Sequence, residues 1–245
     1  MVLDTTKWTL IDGLIEDTAA EAPNGCSVTA GGGQVVLAGT PTSTTGGDGQ
    51  LGIKHTLRVH QPTVTRPAAA RMQGLFRVYG GLDPPNNGAL RMEFHFCTAG
   101  QTAAGGQAPD RNVSVVYGHQ YIGGESQVGF YLRQADEGTV TVHGKDGSTT
   151  TLWTYSDLGV EDPTTTWVPV KVERVNNNWT GYVGKASGAW VQLGPTIEDM
   201  GEADTDDDDM QVELKMHSRA GTYPFSFAYK PMPGGENSWL EALGS

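Results

Sequence analysis

Residues 167–194 hold the pattern that most restricts how this chain can fold. Valine occupies every second position from 168 to 172, and polar or bulky residues fill the positions between. Because successive side chains of a β-strand point to opposite faces, this alternation predicts a strand with one buried face. The asparagines at 176–178 then indicate a tight turn, since Asn tolerates the left-handed backbone that hairpins demand. Two further strands, 179–184 and 189–193, complete a meander that needs a second layer over its apolar face.

The rest of the chain repeats this rhythm of short alternating segments. They include residues 51–60, 71–79, 90–97, 149–155 and 210–217, and about fourteen strands result in all. Its 34 glycines and 13 prolines supply the turns between them. The sequence has no internal repeat and no linker that divides it, and 245 residues suit one large β-sandwich. We therefore predict an all-β sandwich of two antiparallel sheets over residues 1–233, followed by a C-terminal tail at 234–245.

Four short sequences carry a resemblance to a known superfamily. They are VKVERV at 170–175, WTGYVG at 179–184, WVQLG at 190–194 and LDTTKWTL at 3–10. In these segments the chain resembles the concanavalin A-like jelly rolls, which include laminin-G domains, legume-type lectins and several polysaccharide-cleaving enzymes. The resemblance implies a concanavalin A-like jelly-roll sandwich in which one sheet is concave and commonly lines a ligand groove.

The strand RMEFHFC at 91–97 carries the most chemistry. Its even-numbered positions are apolar and are expected to enter the core, whereas Arg91, Glu93 and His95 share the opposite face. With polar residues of nearby predicted strands they form a candidate glycan-binding face, which comprises Arg77, Arg91, Glu93, His95, Tyr131 and Arg133. On such a face aromatic rings stack on sugars and arginines pair with uronate carboxylates. We expect this face to be open to an outside partner.

The same face also suggests a catalytic alternative, an extracellular polysaccharide lyase or glycoside hydrolase that acts on uronate-containing glycans. In a lyase, His95 would be the base, Tyr131 the acid, and Arg91 would neutralise the substrate carboxylate. Residues 91–95 resemble the Arg/Glu/Arg strand of alginate-lyase jelly rolls, but His replaces the last Arg. The Gln-x-His strand of that family and its Tyr/Lys-rich C-terminal strand are not found, nor is the Glu-x-Asp-x-x-Glu strand of related glucanases. The sequence therefore favours a non-catalytic protein.

Charge and hydropathy restrict the partners. The formal net charge of −12 argues against a nucleic-acid partner and against adhesion to anionic membranes. The sequence as given has neither a transmembrane span nor a secretory signal. With the acidic, Gly/Thr/Ala-rich composition, this suggests a structural or adhesive subunit at an exterior surface, such as a bacteriophage virion decoration, tail or fibre protein. The expected partners are other subunits of an assembly and cell-surface polysaccharide, and the expected location is extracellular or on a virion surface.

The acidic segment 198–209 is a candidate metal site. Eight of its twelve residues are acidic, and hard oxygen ligands at this density can bind calcium. The ligands would be Asp204, Asp206 and Asp208. The alternative is a solvated loop whose charges repel one another, and no other cofactor is expected.

The C-terminal tail and the cysteines leave alternatives open. Trp239, Leu240 and Leu243 have the spacing of one helical turn. They form either a flap on their own domain or a docking segment for a neighbouring subunit. Cys26 and Cys97 are either two buried thiols or one disulfide, and their spacing does not decide between these.

Overall fold

A computed structural model describes most of the chain. The described residues are 8–10, 27–39, 49–57, 69–79, 90–98, 111–122, 124–136, 139–176, 178–198, 210–218, 225–230, 232 and 241–242. In chain order the strands are β1 (Trp8–Leu10), β2 (Ser27–Gly31), β3 (Gln34–Gly39), β4 (Gly49–Leu57), β5 (Ala69–Tyr79), β6 (Leu90–Thr98), β7 (Arg111–Ile122), β8 (Glu125–Asp136), β9 (Thr139–His143), β10 (Val168–Val175), β11 (Asn178–Gly184), β12 (Trp190–Ile197), β13 (Met210–Ser218), β14 (Phe225–Lys230) and β15 (Glu241–Ala242).

The strands form two antiparallel sheets. The first sheet has the order β1-β4-β13-β6-β7-β8-β9, and the second has the order β12-β11-β10-β5-β14-β3-β2, with β15 beside β5. The predicted meander is confirmed as β10, β11 and β12, and Asn176 adopts the positive φ of 50° that its turn requires. The all-β sandwich predicted from the alternation is therefore the observed architecture.

The core lies between the two sheets. Three aromatic side chains meet there: the ring centroid of Phe130 lies 4.5 Å from that of Tyr117 and 5.9 Å from that of Phe76. The two sheets pack closely at Gly181, where a Cβ atom would lie 2.4 Å from Cδ1 of Leu132. The inward-facing valines of β10, which the alternation predicted to lie in the core, are buried. Burial of this apolar surface is the main force that holds the two layers together.

The segment after β9 differs from the strand predicted at 149–155. It contains a 3-10 turn at Lys145–Gly147, a single β-bridge between Trp153 and Phe130, and a helical turn at Tyr155–Leu158. A capping box explains the helical turn: the Thr154 hydroxyl accepts a hydrogen bond from the Asp157 backbone, and the Asp157 carboxylate accepts one from the Thr154 backbone. These local bonds satisfy backbone donors that a strand would have to pair elsewhere, so they outweigh the weak alternation.

The helical turn gives a prediction about pH. Lys145 Nζ donates to Asp157 Oδ1 at 2.7 Å, and this bond, followed by those from Thr154, lowers the pKa of Asp157 from 3.8 to about 2. Because the folded pKa is the lower one, the pair stabilises the fold above about pH 4, and that contribution is lost as pH falls through about 2. In an NMR titration, Lys145→Ala is expected to raise the pKa of Asp157 and Lys145→Arg to leave it low. Equal pKa values in the two variants would contradict this assignment.

Several predicted features lie partly or wholly outside the described residues. These are Cys26, the calcium ligands Asp204, Asp206 and Asp208, and the tail residues Trp239, Leu240 and Leu243. Of the tail, Glu241 and Ala242 are described, and they pair as β15 with Arg71 and Ala70 of β5. In the described part of the chain no helix has the length and apolar character needed to cross a membrane.

Candidate functional site

The first sheet brings most of the predicted glycan-binding residues together. The register places Glu93 beside Val116 and Val116 beside Tyr131, and it places Ser114 beside Arg133. These outward-facing polar residues form what we call the polar cluster: Arg91, Glu93, Ser114, Tyr131 and Arg133. The backbone of His95 pairs with Ser114 on one side and with Glu213 on the other, so His95 belongs to the same part of the sheet.

The polar cluster is closed rather than open. Glu93 is 5% exposed, Tyr131 1% and Arg133 7%. Arg91 Nε donates a hydrogen bond to Glu93 Oε1. Val116, Tyr131 and Leu152 form a small apolar group against which Val142 packs. The expected open groove is therefore absent at these positions, because Leu152, from the segment that follows β9, packs beside the Tyr131 ring.

Burial also determines the proton chemistry of Tyr131. Its hydroxyl has no hydrogen-bond partner in the described part of the structure. Burial raises the pKa of Tyr131 well above its ordinary value, and the lowering by the nearby Arg91 does not offset this effect. A general acid must reach the proton acceptor on the substrate, and a sealed tyrosine cannot contact a polymer. In this conformation Tyr131 serves packing rather than proton transfer.

Arg77 lies in the other sheet, which corrects its predicted place in this group. Its strand, β5, pairs with β10 and β14. Phe76 and Val78 of that strand are buried between the sheets, so Arg77 faces outward on the far side of the sandwich. There its guanidinium carbon lies 4.9 Å from the ring centroid of Tyr79.

The outer face of the second sheet holds a second cluster, which the sequence analysis missed. We call it the lysine–aromatic surface: Trp167, Lys171, Tyr182, Trp190 and Lys230. Lys171 Nζ lies 4.2 Å from the ring centroid of Tyr182 and 4.8 Å from that of Trp190. The three aromatic side chains are partly exposed, whereas Lys171 is 9% exposed. The Lys171 ammonium group contacts both Tyr182 and Trp190 and so helps to hold the two rings in place.

The other end of this surface, at Trp167 and Lys230, has the same kind of contact between a lysine ammonium group and an aromatic ring. Lys230 Nζ lies 4.0 Å from the ring centroid of Trp167. Trp167 precedes β10 and is four residues from Lys171, which corresponds to about 13 Å along an extended chain. Between the two halves, Gly184 leaves room for its neighbours, since a Cβ there would lie 2.6 Å from Cβ of Pro169 and 3.4 Å from Cζ3 of Trp190. The sheet thus carries two lysine ammonium groups that together make three contacts with aromatic rings.

Part of this surface could have been predicted from the alternation of residues in β10. Val168 and Val170 set the buried face of β10, so Trp167 and Lys171 must lie on the other face. A tryptophan on the polar face of an amphipathic strand is the kind of exposed aromatic residue that binding sites use. From the sequence alone, these residues indicated only the fold. The contact of Lys230 with Trp167 depends on the pairing of β14 with β5, which no local pattern indicates.

Within the described ranges, no three histidine, cysteine, aspartate or glutamate residues come together as metal ligands would. The described side chains of the two clusters can provide ring stacking, ion pairing and hydrogen bonding.

No protein-family model matches the sequence, and no curated protein matches it. Solved structures share its fold. A functionally unknown protein from Saccharomyces cerevisiae is similar at a TM-score of 0.56 and 11% identity, over 99% of this chain and 100% of that one. The CBM2 module of the evolved Dit of Lactobacillus casei BL23 phage J-1 is similar at 0.58 and 10%, over 93% and 89%. The exoplasmic/lumenal domain of VIP36, in a Ca²⁺/Man3GlcNAc-bound form, is similar at 0.52 and 12%, over 100% and 88%. The fold is thus a concanavalin A-like jelly-roll sandwich, as the resemblance implied.

Proposed function

We propose that this protein is a non-catalytic glycan-binding subunit with a structural or adhesive role. The lysine–aromatic surface carries the proposal. Its rings are partly exposed and are held by lysines on a rigid sheet. Rings fixed in one orientation lose little conformational entropy when a ligand binds, so stacking on the apolar face of a sugar is favoured.

The proposal includes a place in an assembly, namely a bacteriophage virion as a decoration, tail or fibre protein. The fold that the chain shares with a phage Dit module supports this context. Its partners would be other subunits, docked through Trp239, Leu240 and Leu243, and cell-surface polysaccharide. Calcium bound by Asp204, Asp206 and Asp208 would be an accessory ion. Within the closed polar cluster, Arg91 is the most exposed charged group, and its guanidinium is a secondary candidate for a sugar contact.

Removal of the rings tests the proposed surface. Trp167→Ala and Trp190→Ala are each expected to weaken polysaccharide binding by about tenfold or more, because truncation of a central aromatic contact commonly costs over 1 kcal/mol. Affinity electrophoresis against a panel of neutral and acidic polysaccharides measures the change. Tyr155→Ala is the matched control, since Tyr155 is 39% exposed and lies outside the surface, and it should bind as the unmodified protein does.

The same samples test the non-catalytic part of the proposal. Incubation with uronate polymers should produce neither unsaturated ends that absorb in the ultraviolet nor new reducing ends. Their appearance, with loss in His95→Ala, would replace the binding function with the lyase alternative. Unchanged binding in both tryptophan variants would move the glycan site away from the lysine–aromatic surface.

A further inference from the structure

We infer that the lysine–aromatic surface selects acidic polysaccharides, that is, polymers whose sugar units carry carboxylates. The inference rests on the proposed glycan-binding function and names the ligand class of that same site. This selectivity does not follow from the fold itself. It follows from the charge and the spacing of the side chains on the outer face of the second sheet.

Over the described outward-facing side chains of β5, β10, β11, β12 and β14, the formal charge is positive, opposite in sign to that of the whole chain. The formal net charge of the chain is −12. Among the described outward-facing side chains of β5, β10, β11, β12 and β14, the acidic one is Glu173, and the basic ones are Arg71, Arg77, Lys171 and Lys230. Dissolved salt screens each charge, so that its electrostatic interactions extend about 8 Å at physiological ionic strength. A bound polymer would therefore interact with the basic residues beneath it rather than with distant acidic segments.

Glu173 lies at one end of this surface, beside Lys171 and Arg71 rather than beside Lys230 and Arg77. Its Oε1 lies 2.9 Å from Lys171 Nζ and 4.0 Å from Arg71 Nη1, so its negative charge is located at the end of the surface where Tyr182 and Trp190 lie. At the other end, Lys230 contacts Trp167 and Arg77 contacts Tyr79. These two cations lie beside partly exposed rings, which suits a ligand that combines a sugar ring with a carboxylate.

The spacing favours a polymer over a single sugar. Trp167 and Lys171 are separated by about 13 Å along the strand direction. Outward positions Pro169 and Leu75, which pair across β10 and β5, fill the interval with apolar surface. One sugar unit cannot contact both ends, whereas an extended chain can lie along the strand and repeat the same contacts. Attraction between opposite charges alone needs no aromatic rings on the protein. The aromatic rings of the surface can stack on sugar rings, which distinguishes a glycan from a polyanion that has no rings.

Three polymers of matched charge or backbone test the inference. Polygalacturonate carries both sugar rings and carboxylates, its methyl ester carries the rings without the charge, and polyglutamate carries the charge without the rings. We expect polygalacturonate to bind at least about tenfold more tightly than either of the others in titration calorimetry. Added salt should weaken this binding and leave the weak binding of the ester unchanged.

Charge-removing variants locate the effect. The double variant Arg77→Gln with Lys230→Gln should lose about tenfold in affinity for polygalacturonate and lose much less affinity for the ester, which has no carboxylate to pair with either side chain. Lys145→Gln removes a positive charge outside the surface and is the control, with no expected change. Circular dichroism and melting temperature show that each variant folds, so a lost affinity reports on the site.

Each outcome decides a separate point. Equal affinity for the acid and its ester would overturn the selectivity and leave the proposed glycan-binding function in place. Equal affinity for polyglutamate would also overturn it and would assign the surface to an acidic protein partner. An absence of binding to polygalacturonate, its ester and the wider polysaccharide panel would overturn both the selectivity and the proposed function.

Discussion

Replacing Glu93 with alanine is expected to destabilise the protein by about 3 kcal/mol, the lower end of the cost of breaking a buried ion pair. The side chains of Arg91 and Glu93 are 15% and 6% exposed, and the two are hydrogen-bonded. Removal of the carboxylate leaves the guanidinium in a site from which most water is excluded, and solvent compensates little of the lost interaction. Chemical denaturation, read as a shift of the midpoint at constant slope, measures the change.

A second variant separates the ion pair from the packing around it. Arg91→Met combined with Glu93→Leu replaces the two charges with apolar groups of similar size, and it should recover most of the lost stability. If Glu93→Ala instead keeps the midpoint and loses polysaccharide binding, the polar cluster is a ligand site rather than a structural ion pair. This result would restore the glycan-binding role that the sequence suggested for Glu93.

Replacing Gly74 with alanine is also expected to destabilise the fold by about 3 kcal/mol, the upper end of the usual cost of overpacking. A Cβ at this position would lie 2.1 Å from Oη and 2.2 Å from Cζ of Tyr229. Tyr229 is fully buried, and its ring centroid is 4.8 Å from that of Phe94 in the opposite sheet. The ring therefore has little room to move away, and β5 would have to shift instead.

A double-mutant cycle shows whether the clash is the cause. With Tyr229 already replaced by alanine, the Gly74→Ala change should cost far less than it does in the unmodified protein, because the ring that it strikes is gone. Equal costs in the two backgrounds would mean that Gly74 matters for its backbone and not for the space above it. Both variants are compared by thermal and chemical denaturation.

The parts of the fold that sequence predicted well are those fixed by neighbouring residues. The alternation around Val170 placed β10 and its buried face, and the asparagine run placed the following turn. The capping box between Thr154 and Asp157 is also a local signal, visible as a Thr three positions before an acidic residue. The strand predicted at 149–155 was based on the alternation of the segment and did not take this capping signal into account.

The misplaced site residues depend on contacts between distant segments. Arg77 was grouped with Arg91 because both lie outward on alternating strands, but alternation does not indicate which sheet a strand joins. Tyr131 was expected to face solvent, yet it is sealed because Leu152, twenty-one positions further along the chain, packs against its ring. Such coverage depends on how a loop returns over a sheet, and a single sequence carries little information about it.

The position of β13 has a consequence for how the protein reaches its native state. Residues 210–218 insert between β4 and β6, two strands made much earlier in synthesis. Until that late segment emerges from the ribosome, both early strands keep an unpaired backbone edge, and such edges pair readily with other chains. Formation of the first sheet also requires the closure of loops longer than one hundred residues, a slow step for any β topology. Fragments that end before residue 210 should therefore aggregate, and the yield of the whole protein should depend on protection of the nascent chain.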